Sequence, residues 1–236
     1  MGEMMLQYKT WCCALAIVSA LGLAASPALA QQAQRPAVTY GPLYGGLELG
    51  AIIPGDIGEH FSGGATGDGD LTFKTGVAAG AFLGYHVNNW LAAEASLDYA
   101  QYDMDKLTGS FSGFGSGPFN LDGDVTAWLG FANAIVTPLG RSGFSPYLGG
   151  GLGFASYEST LNAVDGVAVG AKSSETDFAA DAIVGFDYAV NDSIALGARY
   201  RFVWIGSGNT TTGSGITEHE DDATAQVISA TATFRF

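Results

Sequence analysis

The chain has 236 residues, is 47% hydrophobic and only 14% charged, and carries a net charge of −14. So acidic a chain lacks the basic surface that nucleic-acid phosphates or an anionic membrane surface would require. Its mean hydropathy is high at +0.21, yet no run of about 20 apolar residues follows residue 30, which excludes a helical span there.

Residues 11–30 form the long apolar run at the start of the chain. Lys9 precedes it, Gly22 and Pro27 interrupt it, and Ser26-Pro27-Ala28-Leu29-Ala30 closes it with small residues. This pattern predicts a cleaved signal peptide over residues 1–30, with Gln31 as the mature start. Cys12 and Cys13 both lie inside it. The mature chain is therefore expected to have no disulfide, no thiolate nucleophile and no Cys-bound metal. Residues 31–42, with Pro36 and Pro42, read as a polar lead-in to a domain over residues 43–236.

Period-two alternation dominates that domain. A first strand over residues 43–53 sets Leu47, Leu49, Ala51 and Ile53 against Gly46, Glu48 and Gly50. A second, 73–87, sets Val77, Ala79, Ala81, Leu83 and Tyr85 against Gly76, Ala78, Gly80, Phe82 and Gly84. A third, 90–102, opposes Leu91, Ala93, Ala95, Leu97 and Tyr99 to Glu94, Ser96 and Asp98. The fourth, 124–137, is poorly phased. Leu129, Phe131 and Ile135 share a face with Asn133, so either Asn133 meets lipid or a bulge shifts the phase. The fifth, 144–157, points Leu148, Leu152 and Phe154 one way and Gly149, Gly151 and Gly153 the other. The sixth, 176–190, opposes Phe178, Ala180, Ala182, Val184, Phe186 and Tyr188 to Asp177, Asp181, Gly185 and Asp187. The seventh, 194–204, opposes alternate apolar residues from Ile194 to Trp204 to Gly197, Arg199 and Arg201. The eighth ends on Ile228, Ala230, Ala232, Phe234 and Phe236, with Arg235 on its other face.

Long connections (54–71, 103–122, 158–175, 205–222) alternate with short ones (88–89, 138–143, 191–192). Asp165-Gly166 in the third long loop reads as a hairpin tip that extends the wall. The second long loop, rich in Gly, Ser and Phe, reads as irregular. Together these features predict an all-β, eight-stranded, antiparallel, up-and-down transmembrane β-barrel with long outer loops and short periplasmic turns. Tyr85, Trp90, Tyr99, Tyr102, Tyr147, Tyr157, Tyr188, Trp204 and Phe236 are placed as interfacial girdles. The soluble alternative, a lipocalin-like barrel, would turn its apolar alternates inward.

Several stretches carry a resemblance: Tyr44-Gly45-Gly46, residues 89–94 (NWLAAE), residues 145–154 (SPYLGGGLGF), Ala198-Arg199-Tyr200-Arg201 and Phe234-Arg235-Phe236. On them the chain resembles the small outer-membrane β-barrel family of the OmpA-like transmembrane domain and Opa-like surface proteins, a porin family. The resemblance implies integral localisation in the cell outer membrane of a Gram-negative envelope, among outer-membrane lipids and lipopolysaccharide. It also implies that Phe234 and Phe236 form a C-terminal assembly signal read transiently by the barrel-assembly machinery. The peptidoglycan-binding domain of larger relatives is not expected after Phe236.

The inward faces gather Glu48, Glu94, Asp98, Asp181, Asp187, Arg199, Arg201 and Arg235 as lumen ion-pair candidates. A turn at Asn191-Asp192 puts Asp187 diagonal to Arg199 and Asp181 diagonal to Arg201. An eight-stranded barrel is just wide enough to be filled by its own side chains, so these charges form a structural plug. The competing arrangement is a narrow polar pore, with water in the space left by the inward glycines. Acids crowd the loops, where divalent cations could bridge them to lipopolysaccharide. His60 and His219 lie beside acids in outer loops, but no hydrolase-like spacing accompanies them, so no catalytic residue, cofactor or metal site is assigned. The expected role is membrane-structural and non-enzymatic, with or without a narrow porin-like channel. The alternative is an adhesin-like surface protein binding through its loops.

Overall fold

The computed structural model describes residues 41–62, 67–111, 115–141, 143–206, 209–211, 217–220 and 222–236. The expected signal peptide and all of the expected lead-in except Gly41 and Pro42 lie outside them. Twelve strands follow in chain order: β1 (Leu43–Pro54), β2 (Ile57–Ser62), β3 (Gly67–Phe73), β4 (Gly76–His86), β5 (Leu91–Phe111), β6 (Gly115–Val136), β7 (Phe144–Val164), β8 (Val167–Ala189), β9 (Ile194–Ile205), β10 (Asn209–Thr211), β11 (Thr217–Glu220) and β12 (Ala223–Arg235).

Eight of these, β1, β4, β5, β6, β7, β8, β9 and β12, pair antiparallel in that order. β12 closes the ring on β1, with Leu47 opposite Ala232 and Glu48 opposite Thr231. Closure leaves no edge within the ring, which is what a β-structure in hydrocarbon requires. The outward alternates are aliphatic and exposed: Leu49 is 68% exposed, Leu83 60% and Leu152 61%. Their inward neighbours Glu48, Phe82 and Asp98 are buried. This polarity is the inverse of a soluble barrel's.

The tight turns gather at one end. At two of them an asparagine organises the reversal. Asn88 Oδ1 accepts hydrogen bonds from the amides of Trp90 and Leu91, and Asn191 Oδ1 accepts from Ser193 and Ile194.

At the other end the wall continues. The segment expected as an irregular second loop is mostly strand, because the β5–β6 ladder runs on to Phe111 opposite Gly115 past one register shift. Its small polar residues hid the period, since neither face there meets lipid or a packed core. The β7–β8 hairpin tip falls at Asp165-Gly166, as read from the sequence, with positive φ at both residues (48° and 80°). β2 and β3 continue this wall beyond β1 and β4, and β10 and β11 extend the sheet from β2. At 21 and 23 residues, β7 and β8 rise roughly 50 Å for strands tilted about 40°. The apolar band of such barrels is only about 25 Å tall.

The fourth predicted strand is resolved in a way neither expectation foresaw. Leu129, Phe131, Asn133 and Ile135 are all buried on the inner face. The pairing of β6 with β5 is unbroken from Leu91–Val136 to Asp103–Asp124. Asn133 avoids lipid because the whole set points inward, where the apolar members fill the lumen. Trp128 is left outward, against Tyr99 at 5.1 Å. Three of the expected girdle residues also turn inward: Tyr147, Tyr102 and Tyr157 share the parity of buried Ser145, Ala100 and Ala155.

Candidate functional site

The lumen is stacked in layers. Toward the loop end it is apolar: Ile52, Ala100, Leu129, Phe131, Val203 and Val227 belong to one buried cluster. Below it lies a layer of charges, then a second apolar cluster that includes Tyr44, Phe82, Ile135, Tyr147 and Ile183.

Two guanidiniums from β9 organise the charged layer. Arg199 Nη1 lies 3.0 Å from Glu94 Oε1 and 3.5 Å from Glu48 Oε1. Its Nη2 donates to Glu94 Oε2 at 3.2 Å and its Nε to Tyr147 Oη at 3.2 Å. Arg201 Nη1 is ion-paired with Asp98 Oδ2. Its Nη2 reaches Glu48 Oε1 at 3.4 Å and donates to Ser96 Oγ at 3.1 Å, and its Nε lies 3.3 Å from Asp181 Oδ2. Tyr44 donates to Glu94 Oε2 at 3.0 Å, and Ser229 to Glu48 Oε2 at 2.8 Å. The rings of Phe82 and Phe131 lie 4.4 and 5.4 Å from the carbons of Arg199 and Arg201. Buried charges survive only when paired and hydrogen-bonded in this way, and the planar five-donor guanidinium is the group that can serve several carboxylates at once.

β9 and β5 stand four places apart in either direction around the ring. The Arg199–Glu94 and Arg201–Asp98 contacts therefore cross the full lumen. Arg201 is 1% exposed and Val203 is fully buried.

Several of the inward glycines that left room for a water-filled pore are seats for neighbouring side chains. A Cβ at Gly84 would strike the Tyr44 ring, one at Gly46 the Phe82 ring, and one at Gly80 the Asp98 carboxylate. At these three positions a side chain lies across the adjacent strand in the space that a Cβ would take.

Of the eight charged candidates, Glu48, Glu94, Asp98, Asp181, Arg199 and Arg201 meet in this layer. The expected diagonals are present in the register: Gly185 pairs Arg199 and Asp187 pairs Gly197, while Ile183 pairs Arg201 and Asp181 pairs Val203. Asp187 and Arg235 sit lower, in a vestibule at the turn end that Arg141, His86, Ser145 and Thr233 also line. Phe234 and Phe236 are exposed on the outer wall. Phe82, Ser96 and Ser229, which the alternation places on inward faces, complete the layer together with Tyr44 and Phe131, which it did not place there. Strand parity was the signal that could have found these last two.

At the loop end, Tyr157 donates to Asp177 Oδ2 at 2.8 Å, with Glu175 Oε2 at 3.2 Å. Asp103 stands opposite Asp124. Strand pairing sets His60 opposite both His219 and Asp68. Among the described residues no group of three His, Cys, Asp or Glu could hold a metal ion.

Solved structures share this architecture. OprG from Pseudomonas aeruginosa is 14% identical, with a TM-score of 0.55 over 84% of this chain and 98% of its own. The outer membrane protease OmpT from Escherichia coli is 10% identical, with a TM-score of 0.54 over 85% of this chain and 99% of its own. Identities so low speak to the fold alone. Among curated sequences, uncharacterized proteins of Brucella abortus and Brucella suis are 27% and 28% identical over 158 residues, or 59% of this chain. The chain spans about half the length of those relatives (55%). The outer membrane protein beta-barrel domain matches residues 16–236. The chain belongs to that family, and the barrel is an integral protein of the outer membrane.

Proposed function

We propose that the protein is a membrane-structural, non-enzymatic barrel whose lumen is sealed against conduction. The reading rests on the cross-lumen contacts from Arg199 and Arg201 on β9 to Glu94 and Asp98 on β5. A narrow pore would need a continuous wet path. Here two apolar clusters flank a charged layer in which Arg201 and Asp98 are almost wholly buried. Lipids are the partners of the outer face. The exposed Phe234 and Phe236 at the end of the closing strand suit recognition by assembly machinery.

Planar-bilayer recording of the refolded full chain tests the seal. The expected trace shows no reproducible conductance steps, and regular steps of one size from the unmodified protein would overturn it.

A second reading is favoured by one further observation. The β5–β6 and β7–β8 hairpins carry hydrogen-bonded wall well beyond the apolar band. A rigid raised rim suits contacts with other surfaces better than it suits packing in the bilayer. Cell-binding assays on a variant with residues 106–120 and 158–175 shortened to tight turns test it. Undiminished binding removes this reading.

A further inference from the structure

We infer that the periplasmic vestibule is an anion site, which takes one carboxylate or phosphate group presented from the periplasm. The cations of this acidic chain are not spread evenly. All four arginines among the described residues, Arg141, Arg199, Arg201 and Arg235, line the lumen or its vestibule. The lysines Lys74, Lys106 and Lys172 belong to the loop-end half.

Three of the four arginines meet in the vestibule, and each comes from a different element. Arg141 comes from the turn between β6 and β7, Arg199 from β9, and Arg235 from the end of β12. Three guanidiniums there face two carboxylates, Glu94 and Asp187. Glu94 is committed upward to Arg199 and Tyr44. Arg199 is shared between Glu94 and Glu48, so an entering oxyanion would meet chiefly Arg141 and Arg235, which line the vestibule with Asp187. Guanidinium forks match the oxygens of carboxylate and phosphate in geometry as well as charge. Each has five N–H donors, so a structural partner and a ligand can share it.

Ser145 points to the same place independently. It is 4% exposed and lines the cavity, yet among the described residues its hydroxyl has no hydrogen-bond partner. A buried polar group left so carries an uncompensated desolvation cost, which an oxyanion accepting from Oγ would recover. The cavity offers about 40 Å3 to the centres of water-sized groups. That suits the head of an anion whose remainder stays in the periplasm. His86, stacked on Tyr44 at 4.5 Å between ring centres, forms part of the rim.

Backbone NMR of the refolded full chain in micelles, at constant ionic strength, tests this with three probes: inorganic phosphate, acetate and N-acetyl-dialanine. Saturable shifts are expected at the amides of His86, Ser145 and Arg235, with Asp165 and Gly166 unmoved. Arg141→Gln and Ser145→Ala should each weaken binding by about tenfold or more, the scale of a hydrogen bond to a charged group. Arg141 lies in a turn, so its variant still reads the test if the Ser145 variant refolds poorly. Saturation by phosphate alone assigns a phosphate ligand, and saturation by acetate and the peptide assigns a carboxylate terminus. Absence of saturation by all three, or equal affinity in both variants, overturns the inference.

Discussion

Arg201 on β9 is ion-paired with Asp98 on β5, the strand diametrically opposite in the ring. The same guanidinium holds Glu48 and Asp181, so it braces three strands besides its own. Removing it leaves three carboxylates short of a cation in a space water hardly reaches. Arg201→Met is therefore expected to destabilise the barrel by about 3–5 kcal/mol. Urea-dependent unfolding followed by tryptophan fluorescence measures it. A loss within about 0.5 kcal/mol, the size of an ordinary surface substitution, would show that the layer is not structural. Adding Asp98→Leu should recover part of the loss, since the second change removes a stranded charge.

Gly84 is the seat of the Tyr44 ring, which in turn donates to Glu94. A branched side chain there must displace the ring and, with it, a hydrogen bond to the charged layer. Gly84→Val is expected to cost about 1–3 kcal/mol by overpacking. Gly45, one strand away, makes the control. Its Cβ would meet nothing nearer than the Phe82 carbonyl at 3.3 Å, so Gly45→Ala should change the same unfolding midpoint far less.

These two positions mark what the chain reveals by itself and what it hides. Strands such as β4 and β9 were legible because one face is mostly small or charged, Phe82 and Val203 apart, and the other is apolar. β6 was not, because Leu129, Phe131 and Ile135 are apolar residues of the inner face, and residue type alone cannot tell lumen filling from lipid contact. Tyr147 was misplaced for a related reason. A tyrosine near a strand end suits an interfacial girdle, and only its shared parity with Gly149 and Gly151 turns it inward. The diagonal partners Asp181 and Arg201 followed from one turn. The contact from Arg199 to Glu94, across 105 residues of chain, needs every intervening register and the closure of the ring.

Leu49 projects outward near the middle of β1 and is 68% exposed. In this family's membrane that exposure is contact with lipid tails. Leu49→Arg should destabilise by about 2–4 kcal/mol, as a cation at the midplane of such barrels does. Leu43→Arg, at the turn end of the same strand, should cost about 0–1 kcal/mol. Refolding into lipid vesicles under urea gives both values. Equal costs at the two depths would contradict the assignment of β1 as a membrane-crossing strand.

Asp165 and Gly166 turn the β7–β8 hairpin with Val164 opposite Val167, and Asp165 also ties the tip to β6. Its amide donates to the Asn120 carbonyl at 2.9 Å, and its Oδ1 accepts from the Asn120 amide at 2.9 Å. The tip lies at the end opposite Asn191 and Asp192, so the two turns should face opposite sides of the outer membrane. An epitope tag inserted after Gly166 leaves the Asp165 bonds in place and sits at a loop tip, where insertions are tolerated. Antibody is expected to label intact cells carrying that tag, and to label a tag at Asn191-Asp192 only after the envelope is permeabilised. Labelling of the second tag on intact cells would reverse the orientation and put the vestibule on the outer surface. A substitution at the tip gives an independent check. Gly166 has φ of 80°, a conformation that a β-branched residue adopts only with strain. Gly166→Val should therefore raise protease sensitivity at the tip while leaving the unfolding midpoint of the barrel nearly unchanged.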